Sequence, residues 1–284
     1  MSVVALGDNI TDCYLDLGRM YPGGNAVNVA VAVARAGGSA SYAGVVGTDQ
    51  RGALLRESLV AEGVEVSRLR TRPGDTALAV VRHVDGERIF AGHDRGVARF
   101  GPDDDDFLQV AAHRIVHTTY ASGLEAAVPS LARRARVSYD FDRHVDDGYA
   151  DDLLGSVWLA SFSAAHLDDD ACRRLLRWAH RRGAEYVLAT RAARGAVLSH
   201  GGNIFTAVAA PVRVLDTLGA GDACIGRLLH GLDVTEPPQI ALRAAVNAAT
   251  AACTSWGAYG HGVEVTDEIR DRAHVLSRRA TTRA

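Results

Sequence analysis

The chain has 284 residues, 48% of them hydrophobic, which suffices for one large core or two small ones. Its net charge of −3 offers no basic field for nucleic acid. It contains no lysine, which excludes a Schiff-base lysine, a lysine general base and a Walker-type phosphate-loop lysine.

Cys13, Cys172, Cys224 and Cys253 form no C-x-x-C pair and read as thiols of a reducing compartment. "MSVVALGD" lacks a signal-peptide pattern, and the apolar run from 26 to 36 is too short to span a bilayer. A cytoplasmic protein without a membrane partner is expected.

In chain order, "SVVALGD" reads as a buried strand ending at Gly7. "NAVNVAVAVARAGG" follows as a buried helix, with Asn25 as its cap and Gly37-Gly38 as its stop. "SASYAGVVGTD" is a strand and "RGALLRESLVAEGV" a helix. Such alternation implies a mainly parallel sheet covered on both faces. "TALAVVRHVDGERIFAG" breaks it, with two β-runs about Asp85-Gly86 that predict a hairpin standing off the sheet as a flap. "DDDDFLQVAAH" starts a helix, "RIVHTTY" is a strand, "VPSLARRARV" a helix and "VSYDFD" a strand. "SVWLASFS" is a strand, "DDDACRRLLRWAHRRGA" a helix, and "EYVLAT", "AVLSH" and "NIFTAVA" are strands. Two helices, near 238–256 and 266–279, close a single domain, and "SRRATTRA" reads as a frayed tail.

"DTLGAGD", residues 216–222, is a glycine-rich turn opening a helix. The first turn of a helix leaves backbone N–H groups without partners, and the dipole adds positive charge, so a phosphate binds well there. Gly219, Ala220 and Gly221 let an anion approach closely, and Asp222 stands beside it, able to take a proton from a hydroxyl. A capped turn with Asp222 favouring the dipole accounts for the same residues.

"DTLGAGD" resembles the D-T-x-G-A-G-D signature of the ribokinase-like, or PfkB-type, carbohydrate kinases. "YPGGNAVNVAVAVARAG" is similar to that family's Gly-Gly substrate loop and following helix, and "GVVGTDQRG" to its G-x-x-G-x-D-x-x-G block. The motifs stand in the family order, and the resemblance covers nearly the whole chain. "GDNITDCY", "GERIFAGHDRGV", "IVHTTYASG" and "YDFD" look most like the fructoselysine 6-kinase branch.

The resemblance implies an α/β/α sandwich over residues 1–284, with a small β-lid built from segments near 12–22 and 76–99. It implies transfer of the ATP γ-phosphate, assisted by Mg²⁺, to a sugar hydroxyl, in this branch the 6-hydroxyl of a fructosamine. Asp222 is then the base, and Gly219, Ala220, Gly221 and Asp222 form the anion hole, with Asp216 in support. Asp12, Gly23, Gly24 and Asn28 would meet the sugar, and Asp8 is a further candidate; turn or cap chemistry is the alternative for Asp8 and Asp12. Two lids pairing through an exposed edge would make a homodimer. A kinase for a simple sugar or nucleoside, and a sugar-binding homologue impaired in catalysis, are the competing functions.

Two motifs depart from the family pattern. Its T-x-G-x-x-G nucleotide loop stands here as "TRAARG", keeping Thr190 and Gly195 but placing Ala192 at the middle glycine. Arg191 is a candidate for a phosphate contact or a surface arginine. The N-x-x-E motif tied to Mg²⁺ is absent; Asp168, Asp169 and Asp170 suit an acidic helix start better than a metal, and no metal ligand is assigned. Asn247, Gly257 and Ala258 are candidates for the adenine side, or helix packing and a cap. His113 and His117 have a helical ligand spacing in a segment that reads as strand. Arg95, beside the hairpin, could meet a carboxylate on the substrate or form an exposed salt bridge.

Overall fold

The computed structural model describes residues 2–84, 87–145 and 148–281; the expected turn at Asp85-Gly86 lies outside them. The first half of the chain runs β1 (Val3–Gly7), β2 (Ile10–Tyr14), β3 (Arg19–Gly23), α1 (Asn25–Arg35), β4 (Ala40–Gly47), α2 (Gln50–Ala61), β5 (Leu69–Arg72), β6 (Leu78–Val84), β7 (Glu87–Asp94), α3 (Asp104–Ala111), β8 (Ile115–Thr119), α4 (Val128–Ala132) and β9 (Arg136–Asp140). It continues with α5 (Asp151–Leu154), β10 (Leu159–Ser163), α6 (Asp169–Arg181), β11 (Tyr186–Thr190), β12 (Ala196–His200), β13 (Asn203–Ala207), α7 (Ala220–Asp233), α8 (Pro238–Ala252), β14 (Val263–Glu264) and α9 (Asp267–Thr281).

Nine strands form the central sheet in the order β13-β12-β11-β10-β9-β8-β1-β4-β5. It is parallel from β11 to β5, and the β12–β13 hairpin adds an antiparallel edge. Alternate side chains of β1 feed two cores. Val3 and Ala5 pack with residues of α1, α2, α7 and α8, and Val4 and Leu6 with residues of α3, α4, α5 and α6. A side chain buried on either face contributes ~1.5–3 kcal/mol, which is why the strands are almost continuously apolar.

The C-terminal ends of the parallel strands gather the polar residues: Asp8 just after β1, Thr119 closing β8, Asp140 closing β9 and Thr190 closing β11. Ligands of open α/β sheets bind along this edge.

The lid is a second sheet, ordered β14-β3-β2-β6-β7. Asp49 ties its base to the body: it caps α2 at Gly52 N–H (3.0 Å) and accepts from the Thr76 hydroxyl (2.5 Å) ahead of β6. The lid's outer face, with Cys13, Met20, Leu78 and Val80, is covered by Val265 and by Ile269, Ala273 and Leu276 of α9. Arg272 of α9 also pairs with Asp75 and Asp94, the residues flanking the β6–β7 hairpin.

Two expectations change. Of the expected frayed tail, 277–281 continue α9, whose apolar contact with the lid ends at Leu276, and 282–284 lie outside the described residues. Asn25 does not cap α1, whose N-cap is Gly24. Asp8 supplies the cap from another element, accepting from the N–H groups of Asn25 (2.6 Å) and Ala26 (3.3 Å). Among the described residues, no helix is long and apolar enough to cross a membrane.

Candidate active site

Two cavities of about 660 Å³ each flank the start of α7. One, under the lid, is lined by Asp8, Asn9, Asp12, Gly24 and Asn28 among others. The other is mostly apolar, with Ala192, Ala193, Pro211, Val212, Val246 and Ala249 in its wall, and Ala220 and Gly221 at its edge.

Asp222 is 8% exposed in the first turn of α7. Asn28 of α1 donates its Nδ2–H to Asp222 Oδ2 at 2.7 Å. Burial holds the Asp222 carboxyl well above the usual carboxylate range; the Asn28 hydrogen bond opposes this, and the negative charges of Asp140, Asp8 and Asp12 add to it. Asp140 is itself pushed up to about 7, first by burial, against the Asp142 N–H and with the charges of Asp142 and Asp8. A base with a raised pKa is matched to taking a proton from a hydroxyl near neutral pH.

Before Asp222 the backbone turns sharply into α7. Gly219 is the N-cap of α7 at φ 75°, where a Cβ would lie 2.5 Å from that of Ala258. A Cβ on Gly221 would meet nothing within 4 Å, which leaves space above the turn. The N–H groups of Gly219, Gly221 and Asp222 have no acceptor among the described residues, whereas that of Ala220 reaches Thr217 O at 3.3 Å. Asp216, 3% exposed, orders this turn. It accepts from the Leu218 and Gly257 N–H groups, both at 3.0 Å, and from the Tyr14 hydroxyl of the lid.

Under the lid, Asp12 is buried on β2 and lines the cavity. A Cβ on Gly23 would lie 2.5 Å from Asp12 Oδ2, so this glycine makes room for the Asp12 carboxylate and does not itself line the cavity. Gly24, at φ 115°, lines it, and a Cβ there would meet Asn9 Cα at 2.6 Å. Asn28 Oδ1 is buried without a partner, an acceptor with spare capacity.

Asp8 lines the cavity but is occupied within the chain. Besides capping α1 it accepts from Thr119 Oγ1 (3.1 Å) and Ser122 Oγ (2.9 Å), so cap chemistry accounts for it. Sequence reasoning missed Asn9, which is 2% exposed and lines the same cavity. Its Nδ2–H is spent on Tyr42 Oη and Val45 O, leaving Oδ1 without a partner. The only signal for it was its place beside Asp8 after the first strand.

The nucleotide candidates divide. Thr190, Ala192 and Gly195 line the apolar cavity. Ala192 keeps a left-handed φ of 49°, so the loop shape a glycine would favour survives its replacement. Arg191 is 8% exposed and is engaged within the chain, pairing with Asp169 at 2.6 Å and donating to Leu167 O. Asn247 is exposed on α8 and lines neither cavity; Val246, Ala249 and Thr250 supply that wall because they face α7 and the sheet. Gly257 and Ala258 pack against Tyr21 and Gly219 and support the turn rather than the apolar cavity.

The acidic run before α6 is a helix start, with Asp168 capping at the Ala171 N–H (2.7 Å). His113 is held by Ser41 and Gln109, and His117 is fully buried, its pKa driven down to about 3 by burial. Among the described residues, no group of three or more His, Cys, Asp or Glu side chains converges as a metal site. Cys224, at the rim of the apolar cavity, is buried, which pushes its thiol up to about 12 and keeps it a small packing residue.

Residues 14–264 match the model of the pfkB family carbohydrate kinases. The chain belongs to this family. It is 36% identical to the fructosamine kinase FrlD of Bacillus subtilis, over 92% of this chain and 94% of that one. Identity to the fructoselysine 6-kinase of Escherichia coli is 32%, over 88% and 97%. The fold matches Arabidopsis thaliana ribokinase complexed with ribose and ATP at a TM-score of 0.79, with 21% identity and 98% of each chain covered. The chain is therefore a carbohydrate kinase with the ribokinase-like fold, as its three motifs implied.

Proposed function

We propose that this kinase transfers the γ-phosphoryl group of ATP to a hydroxyl, the 6-hydroxyl, of a fructosamine. The observation that carries the proposal is Asp222, seated between a polar cavity under the lid and an apolar cavity that suits a purine, with free N–H groups beside it. The substrate class rests on the similarity to kinases named for fructosamine and fructoselysine.

In this mechanism Asp12, Asn9 Oδ1 and Asn28 Oδ1 position the sugar hydroxyls. Asp222 takes the proton of the attacking hydroxyl as its oxygen bonds to the γ-phosphorus. The bond from that phosphorus to the β-phosphate bridging oxygen breaks, and ADP leaves. The Gly219, Gly221 and Asp222 N–H groups stabilise charge on the transferring phosphoryl oxygens, in a place closed from water by the lid. Mg²⁺, when bound, would take one or two carboxylates of the chain as ligands. Asp140 and Asp142, hard oxygen donors coupled electrostatically to each other, fit that role. Bound there, the ion would neutralise phosphate charge.

A homodimer through the lid would use one of the edges of its sheet, β7 or β14 with β3, since α9 covers the outer face. Light scattering on the eluting protein tests this.

The substrate assignment is tested by ATP consumption against fructoselysine, fructose, ribose and adenosine. The glycated amino acid should give the highest kcat/KM. Good turnover of a simple sugar with none of any glycated amino acid would sink it.

A further inference from the structure

The cavity under the lid is far larger than a single sugar ring requires, and its lining carries charges of both signs. About 660 Å³ lies within the ~300–1,000 Å³ range of sites for drug-sized ligands. Asp12, Asn9 and Asn28, the last bonded to Asp222, line it together with Ala77, Ala79 and Ala98. Arg95 and Arg99 come from the segment that leads from the lid back to the body.

These two arginines differ from their neighbours. Arg68 and Arg70 are spent on Asp103 and Asp106, and Arg272 on Asp75 and Asp94. Neither Arg95 nor Arg99 has a carboxylate partner among the described residues, so the exposed salt bridge considered for Arg95 does not form. Their backbone is nevertheless fixed. Asp94 accepts from the Gly96 N–H (2.9 Å), Asp75 O from the Val97 N–H (2.9 Å), and Arg95 O from the Ala98 N–H (3.1 Å). Arg72 holds Arg99 O at 2.9 Å. Two guanidiniums without acidic partners, on a tied backbone and lining one cavity, are suited to bidentate capture of a carboxylate.

We infer that Arg95 and Arg99 form an anion subsite for the carboxylate of an amino acid linked to the sugar, and that they select free glycated amino acids over glycated amines without a carboxylate. The inference rests on the fructosamine reading and adds to it the part of the molecule that is recognised. The sugar end brings the hydroxyl to Asp222, and the arginine end fixes the tail.

The test compares kcat/KM for fructoselysine and fructosylglycine with that for fructosylpropylamine, which has the same sugar and amine linkage but no carboxylate. Wild type should prefer at least one of the acids by tenfold or more, chiefly through KM. Arg95→Ala/Arg99→Ala should lose that preference while its rate on fructosylpropylamine stays within about twofold. Equal turnover of acids and amine by wild type overturns the subsite, as does a double variant that loses all three substrates alike while its thermal midpoint is unchanged. If the double variant unfolds, the charge-keeping Arg95→Lys/Arg99→Lys form replaces it, and retention of the preference with a raised KM is the expected result; an unaltered KM for both acids overturns the subsite. Turnover of fructose with none of the three amine-linked sugars instead overturns the fructosamine assignment, and the subsite falls with it.

Discussion

Asn28 and Asp222, 194 positions apart, are joined by one 2.7 Å hydrogen bond that couples the first helix of the body to the seventh. The bond favours the ionised carboxylate, against burial and three neighbouring acids that favour the neutral one. Asn28→Ala removes the opposing contribution. The Asp222 pKa then rises further, and since the base must be ionised, the acidic limb of kcat/KM against pH should move to higher pH. The Asp222→Asn variant should lose ~10²–10⁴ in kcat while still binding sugar by calorimetry.

Asp140 carries a pH signature in stability. Burial pushes its carboxyl up to about 7, from the 3.8 of a free aspartate. Its favourable contribution is complete below the unfolded value and is lost as pH rises through about 7. At ~1.4 kcal/mol per pK unit, the whole effect is a few kcal/mol at most. Asparagine imitates the neutral acid, so Asp140→Asn should be more stable than wild type at pH ~8 and nearly equal to it below pH ~4. Urea unfolding of both proteins at the two pH values, without Mg²⁺, isolates this residue from Asp222, whose contribution has the same sign.

Asp216 is predicted to matter through what it holds. Asp216→Ala leaves the Leu218 and Gly257 N–H groups and the Tyr14 hydroxyl without their acceptor in a buried place. Each costs ~1–3 kcal/mol. Denaturant midpoints should fall strongly for Ala and less for Asn, which keeps one acceptor oxygen, and kcat should fall in the same order as the turn loosens.

Ala192 holds a φ of 49°. A left-handed conformation costs a non-glycine residue ~1–2 kcal/mol, partly offset by the greater freedom glycine has when unfolded. Ala192→Gly should therefore equal or exceed wild type in stability by about 1 kcal/mol or less, with a KM for ATP no higher. Ala192→Val should lower stability and raise that KM, because branching crowds both the backbone and the cavity wall. Thermal melts and ATP saturation curves check both variants.

Local pattern made much of the architecture legible. The β-branched runs of β1 and β4, the alanine-rich α1 and the hairpin composition around residue 85 followed from spacing alone. The turn into α7 was legible because a run of small residues before a helix has few uses. What escaped was non-local. The cap of α1 comes from Asp8, and Asn25, which had the right residue type, does not serve. The wall of the apolar cavity is set by which face of α8 meets α7, so Val246 and Thr250 line it where Asn247 does not. Arg191 and Asp169 found each other across a loop, a pairing that no spacing rule reports.

The lid is not a bare flap. Its far side is roofed by α9, and Arg272 bolts that roof to both flanks of the β6–β7 hairpin. Any swing that admits substrate must either carry the helix along as ballast or peel it away, exposing Met20 and Leu78 to water. Residues 267–281 would thus take part in any such opening, although none of them lines the site. Their amide hydrogens should exchange more slowly when sugar is bound, reporting closure from the outside of the molecule.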